Sequence, residues 1–401
     1  MANKKINDIL VKISLVLASI IIVILILECF MRIFFPHSQY AIVCAPWGFT
    51  HKPNCSITYY DELAVFGKKP HPVPIHYNSK GLRDYEYDYE KPEGTFRILF
   101  LGDSWVEDMA SYLDNLFSKR LEKKLNSFDV PVKFEVINGG HYAFDNAQEL
   151  MFYLKEGIRY HPDIVFVMYT TDVPSPEYAV VKDGKLKLKY QEFTRSQKLY
   201  RNLITLVRSN SHLGNFVLDR LGSIKSLDQL LRQIGWREKK AALAKFPEGH
   251  PQLANIEDQE LAEQLTVKQV VDDGSKGNFS FIDKLIWKRF KEAAQEDEAT
   301  FVFIHSIHSI YERDRKFLAE ENIPFLSIKI NSEQTKKIKE ADIKNGTYDE
   351  TLDSHRFGYK QHPIVAEQIL QFLLDKKLIP FADEIADMRK RPNKQEAKSS
   401  L

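Results

Sequence analysis

Ser104 lies in the stretch FRILFLGDSWVEDMA, residues 96–110, where a short apolar run stops at Gly102-Asp103-Ser104. Four more clusters of chemically capable residues also follow short apolar runs. They are NGGHYAFD (138–145), YTTD (169–172), HSIHS with His305 and His308, and LDSHRFGYKQH with Asp353, His355 and His362. A serine hydroxyl is a weak nucleophile until a base takes its proton, an acid orients that base, and donors receive the oxyanion. The clusters hold each of these parts. Ser104 opens a predicted helix, so its N–H can face an anion. Gly140 lets a backbone N–H approach a substrate with no side chain in the way. Thr171 carries a hydroxyl donor, His355 can take a proton, and Asp353 stands two residues before it.

Each cluster taken alone has a plainer reading. Gly-Asp-Ser at a strand end is also a turn with a helix cap. Asn138-Gly139-Gly140 alone is a turn, Thr171-Asp172 a cap, and His355 a polar turn residue. His305 and His308 sit on or just past an apolar run with no set of acids behind them, which reads as structural. No tight group of His, Cys and acids has metal-ligand spacing.

The elements decide whether the clusters converge. FRILFL reads as a buried strand and SYLDNLFSKRLEKKLNSF as an amphipathic helix; KFEVING is a strand and NAQELMFYLKEGIRY a helix; DIVFVMYT is a third strand. After a break the rhythm resumes with TFVFIHSI, a helix around YERDRKFLAEEN, the strand IPFLSIK and a last helix, PIVAEQILQFLLDKK. Short apolar runs alternating with amphipathic helices predict βαβ units. The fold class is therefore α/β, a three-layer α/β/α sandwich with a parallel sheet of about five strands. In such sheets ligands bind beyond the carboxyl ends of the strands, and all five clusters fall there.

The domain organisation follows. Residues 1–35 form a cytoplasmic N-terminus and membrane anchor, 36–94 an extended juxtamembrane segment, 95–379 the α/β domain with a helical insertion at 173–299, and 380–401 a polar tail. The anchor rests on ISLVLASIIIVILIL and its continuation ECFMRIFF, longer than the ~20 apolar residues a bilayer needs. Glu28 and Arg32 are four apart and can pair near the interface. Lys4, Lys5 and Lys12 precede the segment, which places the main domain outside the cytoplasm, in the periplasm or on the cell surface. The stretch is long for a cleaved signal, no small-x-small site follows it, and Glu28 occupies the position before Cys29 where a lipoprotein needs a small residue. A net charge of +1 excludes the positive field that nucleic acid demands, and three cysteines exclude a disulfide-built scaffold. Cys44 and Cys55 fall outside the membrane on this topology, and the sequence leaves their pairing open.

The order strand–GDS–helix, strand–NGG, strand–TTD and Asp-x-His before a last helix resembles the SGNH (GDSL-type) hydrolase family over most of residues 96–378, interrupted by the insertion. NSKGLRDYE (78–86) and LILECFMRIFFP look like the pre-GDS stretch and the anchor of its membrane-anchored bacterial members. The resemblance implies an extracytoplasmic serine esterase. Ser104 is its nucleophile, His355 the base and Asp353 the orienting acid. Ser104 N–H, Gly140 N–H and Thr171 form the oxyanion hole. No metal or cofactor is required. The partners implied are an acyl ester, an acylated carbohydrate among them, and the membrane through the N-terminal helix. Acyl transfer to a sugar hydroxyl, and a silent binding or scaffold protein, are the alternatives. Thr171 stands where the family presents Asn, and losing one oxyanion donor costs about 10²–10³ in rate. Gln361 replaces a usual glycine before His362. Trp105 and Glu107 replace small residues after the serine and are expected to crowd or charge the pocket rim.

Overall fold

A computed structural model describes residues 2–60, 72–169, 174–222, 279–305, 311–330, 336, 340 and 358–390. Thr171, Asp353 and His355 lie outside the described residues, as do His308 and the loops FPEGHPQ and DDGSKGN.

Helix α1 (Ala2–Phe34) contains the apolar stretch Asn7–Phe34, long and apolar enough to cross a membrane. Two antiparallel hairpins follow, β1 (Ile42–Ala45) with β2 (Gly48–His51) and β3 (Cys55–Tyr60) with β4 (Pro72–Tyr77). The juxtamembrane segment is thus more ordered than the extended chain expected. In β4 the side chains of Val73, Ile75 and Tyr77 are buried and the residues between them exposed, which is the period of a half-buried strand. Cys44 and Cys55 form no disulfide.

The α/β domain opens with β5 (Thr95–Gly102), followed by α2 (Ser104–Glu107), α3 (Phe117–Leu125), β6 (Lys133–Asn138), α4 (Asn146–Lys155) and β7 (Ile164–Tyr169). A small hairpin, β8 (Ala179–Lys182) and β9 (Lys185–Leu188), then leads to α5 (Arg195–Asn210) and α6 (His212–Gly222). The chain returns with α7 (Phe281–Glu296), β10 (Thr300–His305), α8 (Glu312–Glu320), β11 (Phe325–Ser327), α9 (Gly358–Asp375) and α10 (Ala382–Lys390). Five strands form one parallel sheet in the order β11-β10-β7-β5-β6. The expected α/β sandwich and its five strands are present.

Successive β5 side chains serve opposite faces. Leu99 and Leu101 enter one core with α4 and α7; Ile98 and Phe100 enter the other with α3 and α9. Full burial of each stabilises by about 1.5–3 kcal/mol, which explains why residues 98–101 of the strand are apolar without a break. Helix α7 was expected inside the insertion. It is instead a layer helix of the sandwich, with Ile286, Trp287, Phe290, Ala293 and Ala294 buried against the sheet. Strand β5 lies between β6 and β7, so the chain steps from β5 out to β6 on one side and then crosses back to β7 on the other. The carboxyl end of β5 is therefore the switch point, where open α/β sheets form a crevice.

Candidate active site

Ser104 follows β5 directly and is the first residue of α2, half-buried at that switch point. The Asp103 carboxylate accepts the Trp105 N–H at 2.8 Å, so the acid of Gly-Asp-Ser is the helix cap. The helix that Ser104 was expected to open is a single turn and adds little dipole of its own. Neither the N–H nor the hydroxyl of Ser104 is committed to another described residue.

The turn behind Ser104 is held by buried charge. Asp108 ends α2 in the left-handed region, at φ 34°. Its Oδ2 accepts the Ser111 hydroxyl at 2.7 Å and lies 2.7 Å from His362 Nε2. Because His362 Nδ1 accepts the Phe117 N–H at 3.1 Å, the ring proton sits on Nε2 and points at Asp108. Burial raises the Asp108 pKa, but the His362 bond and Arg83 together hold it at about 2. Arg83 donates from Nη1 to the carbonyls of Glu107, at 2.7 Å, and Asp108, and from Nη2 to Ser111. One guanidinium thus fixes the three carbonyls that set the path of the chain after the serine.

Arg83 is supplied by the NSKGLRD stretch. Asn78 Oδ1 accepts the N–H groups of Lys80, at 3.0 Å, and Leu82, at 2.9 Å, closing a tight turn. Gly81 has φ +79°, and a Cβ there would lie 2.5 Å from the His51 carbonyl oxygen, so only glycine fits. Next to Arg83, Asp84 accepts the Asn138 N–H at 2.6 Å and pairs with buried Lys119 at 2.7 Å. Burial pushes the Asp84 carboxyl up to about 6 even with Lys119 beside it. Adjacent residues therefore grip the loops after β5 and β6, the two loops that carry Ser104 and Gly140.

Gly140 packs flat on α2. A Cβ on it would come 2.4 Å from the Glu107 nitrogen, so the second loop touches the Ser104 turn through bare backbone. Its N–H donates to Asn138 Oδ1 at 3.0 Å, and Asn138 Nδ2 donates to the Val106 carbonyl at 3.0 Å. To serve an oxyanion, Gly140 must exchange that acceptor. Further along the same loop, Ala143 is exposed at φ +59°, a conformation unusual for alanine, and its N–H meets no described acceptor. Sequence reasoning passed over Ala143, since nothing in its side chain marks the backbone angle. Asp145 then caps α4 and accepts the Ser175 N–H at 2.7 Å, which ties this loop to the chain beyond β7.

Glu107 does not line the rim. It is fully buried, receiving the Tyr77 hydroxyl at 3.1 Å and the Tyr142 N–H at 2.5 Å, with His51 Nε2 at 3.0 Å. Burial opposes its ionisation, but His51 brings the carboxyl down to about 2. Around it the rings of Tyr77, His51, His141 and Phe144 stack, with centroids 4.0, 5.4 and 4.4 Å apart. His141 is neutral, driven to about 4 by burial and by His51. It bridges Thr50 Oγ1, at 3.1 Å, and the Gly139 carbonyl, at 3.0 Å. Trp105 is half-buried against the core formed by α3 and α9. The two bulky residues after the serine thus turn inward, because each finds a partner there.

His305 ends β10 and is buried beside Tyr169, consistent with a structural residue. Among the described residues no group of three His, Cys, Asp or Glu is placed to hold a metal ion.

No protein-family model matches the chain, and no curated protein matches it. Among solved structures, a two-domain esterase active on acetylated mannans aligns over 71% of this chain at 10% identity and a TM-score of 0.32. This chain spans 50% of that protein's length. TesA aligns over 71% of this chain and 99% of its own, at 10% identity and a TM-score of 0.31. An acetylxylan esterase from Geobacillus stearothermophilus aligns over 69% and 94%, at 10% identity and 0.32. At these values the likeness fixes neither family nor substrate, and function must be read from the chain's own residues.

Proposed function

We propose that the protein is a membrane-anchored, extracytoplasmic serine esterase of the SGNH type. Ser104 Oγ attacks the acyl carbonyl as His355 takes its proton, with Asp353 orienting the imidazole. The Ser104 N–H, the Gly140 N–H and the Thr171 hydroxyl receive the oxyanion. The leaving alcohol takes the proton from His355. Water, deprotonated by the same histidine, then attacks the acyl-serine and releases the acid. The substrate class is an O-acyl ester, an acylated carbohydrate among the candidates.

One observation carries this reading. Asp108 lies four residues past Ser104, and His362 lies seven past His355. The two side chains are bonded at 2.7 Å in a fully buried pair. The start of α9, seven residues past His355 in the sequence, is therefore held against the turn that follows Ser104, which supports the pairing of Ser104 with His355. The anchor, in turn, is supported by Glu28 and Arg32. Both are bonded to the folded domain, at Ser211 and Asn210, so cleavage after α1 would strip contacts from it.

The test is hydrolysis of 4-nitrophenyl acetate by the full chain in detergent. Wild type is expected to turn over, and Ser104→Ala and His355→Ala to fall to the uncatalysed rate. Equal turnover by wild type and both variants would contradict the reading.

A further inference from the structure

Helices α5 and α6 are amphipathic in the wrong sense for a water-facing surface. On α5 the residues against the protein are polar: Thr205 and Ser209 are buried, and Thr205 donates to the Ile42 carbonyl. Its outward side is apolar, with Leu199 61% exposed, Leu203 51% and Leu206 57%. On α6, His212 and Asn215 are buried while Phe216, Val217 and Leu221 are exposed. A helix face of leucines turned away from its own domain needs an apolar partner.

The membrane helix identifies that partner. Glu28 accepts the Ser211 hydroxyl at 2.7 Å and the N–H groups of His212 and Leu213, both at 2.9 Å, so it caps the start of α6. Arg32, one turn on, donates to the Asn210 carbonyl at 2.5 Å at the end of α5 and pairs with Glu28 at 2.8 Å. A span of about 20 residues ending at Glu28 rises about 30 Å, one hydrocarbon thickness. The junction of α5 and α6 is therefore fastened to α1 at the depth where α1 leaves the bilayer. Arg195, Lys198, Arg201, Arg208 and Arg220 stand on the two helices against a single acid, Asp219. Apolar side chains combined with basic charge suit an anionic lipid interface.

We propose that α5 and α6 form a second membrane contact, with their Leu, Phe and Val side chains seated in the boundary of the bilayer that α1 spans. The proposal rests on the anchor reading. It makes the insertion a foot that fixes the height and tilt of the α/β domain over the membrane.

The experiment places a nitroxide at Leu203→Cys and, separately, at Phe216→Cys in the full chain, with Cys29, Cys44 and Cys55 replaced by serine. The protein is reconstituted in vesicles of phosphatidylcholine with phosphatidylglycerol. Collision with oxygen and with a water-soluble nickel chelate is compared with labels at Ile21→Cys on α1 and Lys377→Cys after α9. The expected result is an oxygen-to-nickel ratio at both sites close to that of Ile21 and well above that of Lys377. High nickel collision would place the face in water and overturn the proposal. Low collision with both reagents would mean that residues 223–278 or a second copy covers it, and would overturn it equally. If the Ile21 label itself behaves like Lys377, the anchor reading fails, and the seat on the membrane with it.

Discussion

Two residues separate Ser104 from Glu107, and a carboxylate buried that close to the proposed nucleophile sets the electrostatics of its surroundings. Glu107 has a folded pKa of about 2 against an ordinary 4.5. The stability it contributes is fully present above 4.5 and is lost as pH falls toward 2. Glu107→Gln is therefore expected to destabilise the protein by about 3 kcal/mol at neutral pH. That deficit should shrink through the same acid window when melting is followed at a series of pH values in detergent. A deficit unchanged down to pH 2 would mean the charge on Glu107 is not what matters. Gly140 is the second sensitive position. Its absent Cβ would meet backbone nitrogen at 2.4 Å, so no side-chain motion relieves the clash. Gly140→Ala is expected to shift α2, lower the melting temperature and reduce ester turnover by at least about tenfold. Asp103 as a cap was legible in the sequence, because acid before a strand-to-helix corner has one local use. The inward turn of Glu107 was not legible. It depends on Tyr77, His51 and Tyr142, which only the tertiary fold brings together.

At the level of elements, the turn Asn78–Asp84 acts as a clamp on the loops after β5 and β6. Arg83→Met keeps much of the stem and removes every donor. It leaves the carbonyls of Glu107, Asp108 and Ser111 without that partner, at about 1–3 kcal/mol each. A loss of about 3 kcal/mol or more is expected in thermal unfolding, with ester turnover falling further than stability because the path after Ser104 is released. A variant that melts like wild type would refute the clamp. All five sheet strands were readable as short apolar runs rich in Val, Ile and Phe, because both faces of the sheet are covered. The hairpin of β3 and β4 was hidden by Pro72 and Pro74. Both fall on a two-stranded ribbon, where a missing N–H is tolerated. Helix α7 was hidden by its neighbours, since a long charged stretch precedes it and masks the apolar spacing that places it under the sheet.

For the whole molecule, the notable connection runs from the apolar N-terminal helix to the insertion. Glu28→Ala removes the acceptor for the Ser211 hydroxyl and two backbone N–H groups at the start of α6. A loss of about 0.5–2 kcal/mol is expected from the cap alone. It should appear as faster proteolysis of α5–α6 in reconstituted protein, with the sheet domain protected as before. The sequence showed Glu28 and Arg32 as an i,i+4 pair, which they are, at 2.8 Å. Their partners lie more than 170 positions away. No local pattern points to them.

The central claim is that Ser104 is an activated nucleophile. The most direct measurement is covalent labelling of the full chain by a fluorophosphonate probe, with wild type beside Ser104→Ala and His355→Ala. Strong labelling of wild type, lost in both variants, is the predicted result. A folded wild type that takes no label, or one labelled as strongly without Ser104, would contradict the account.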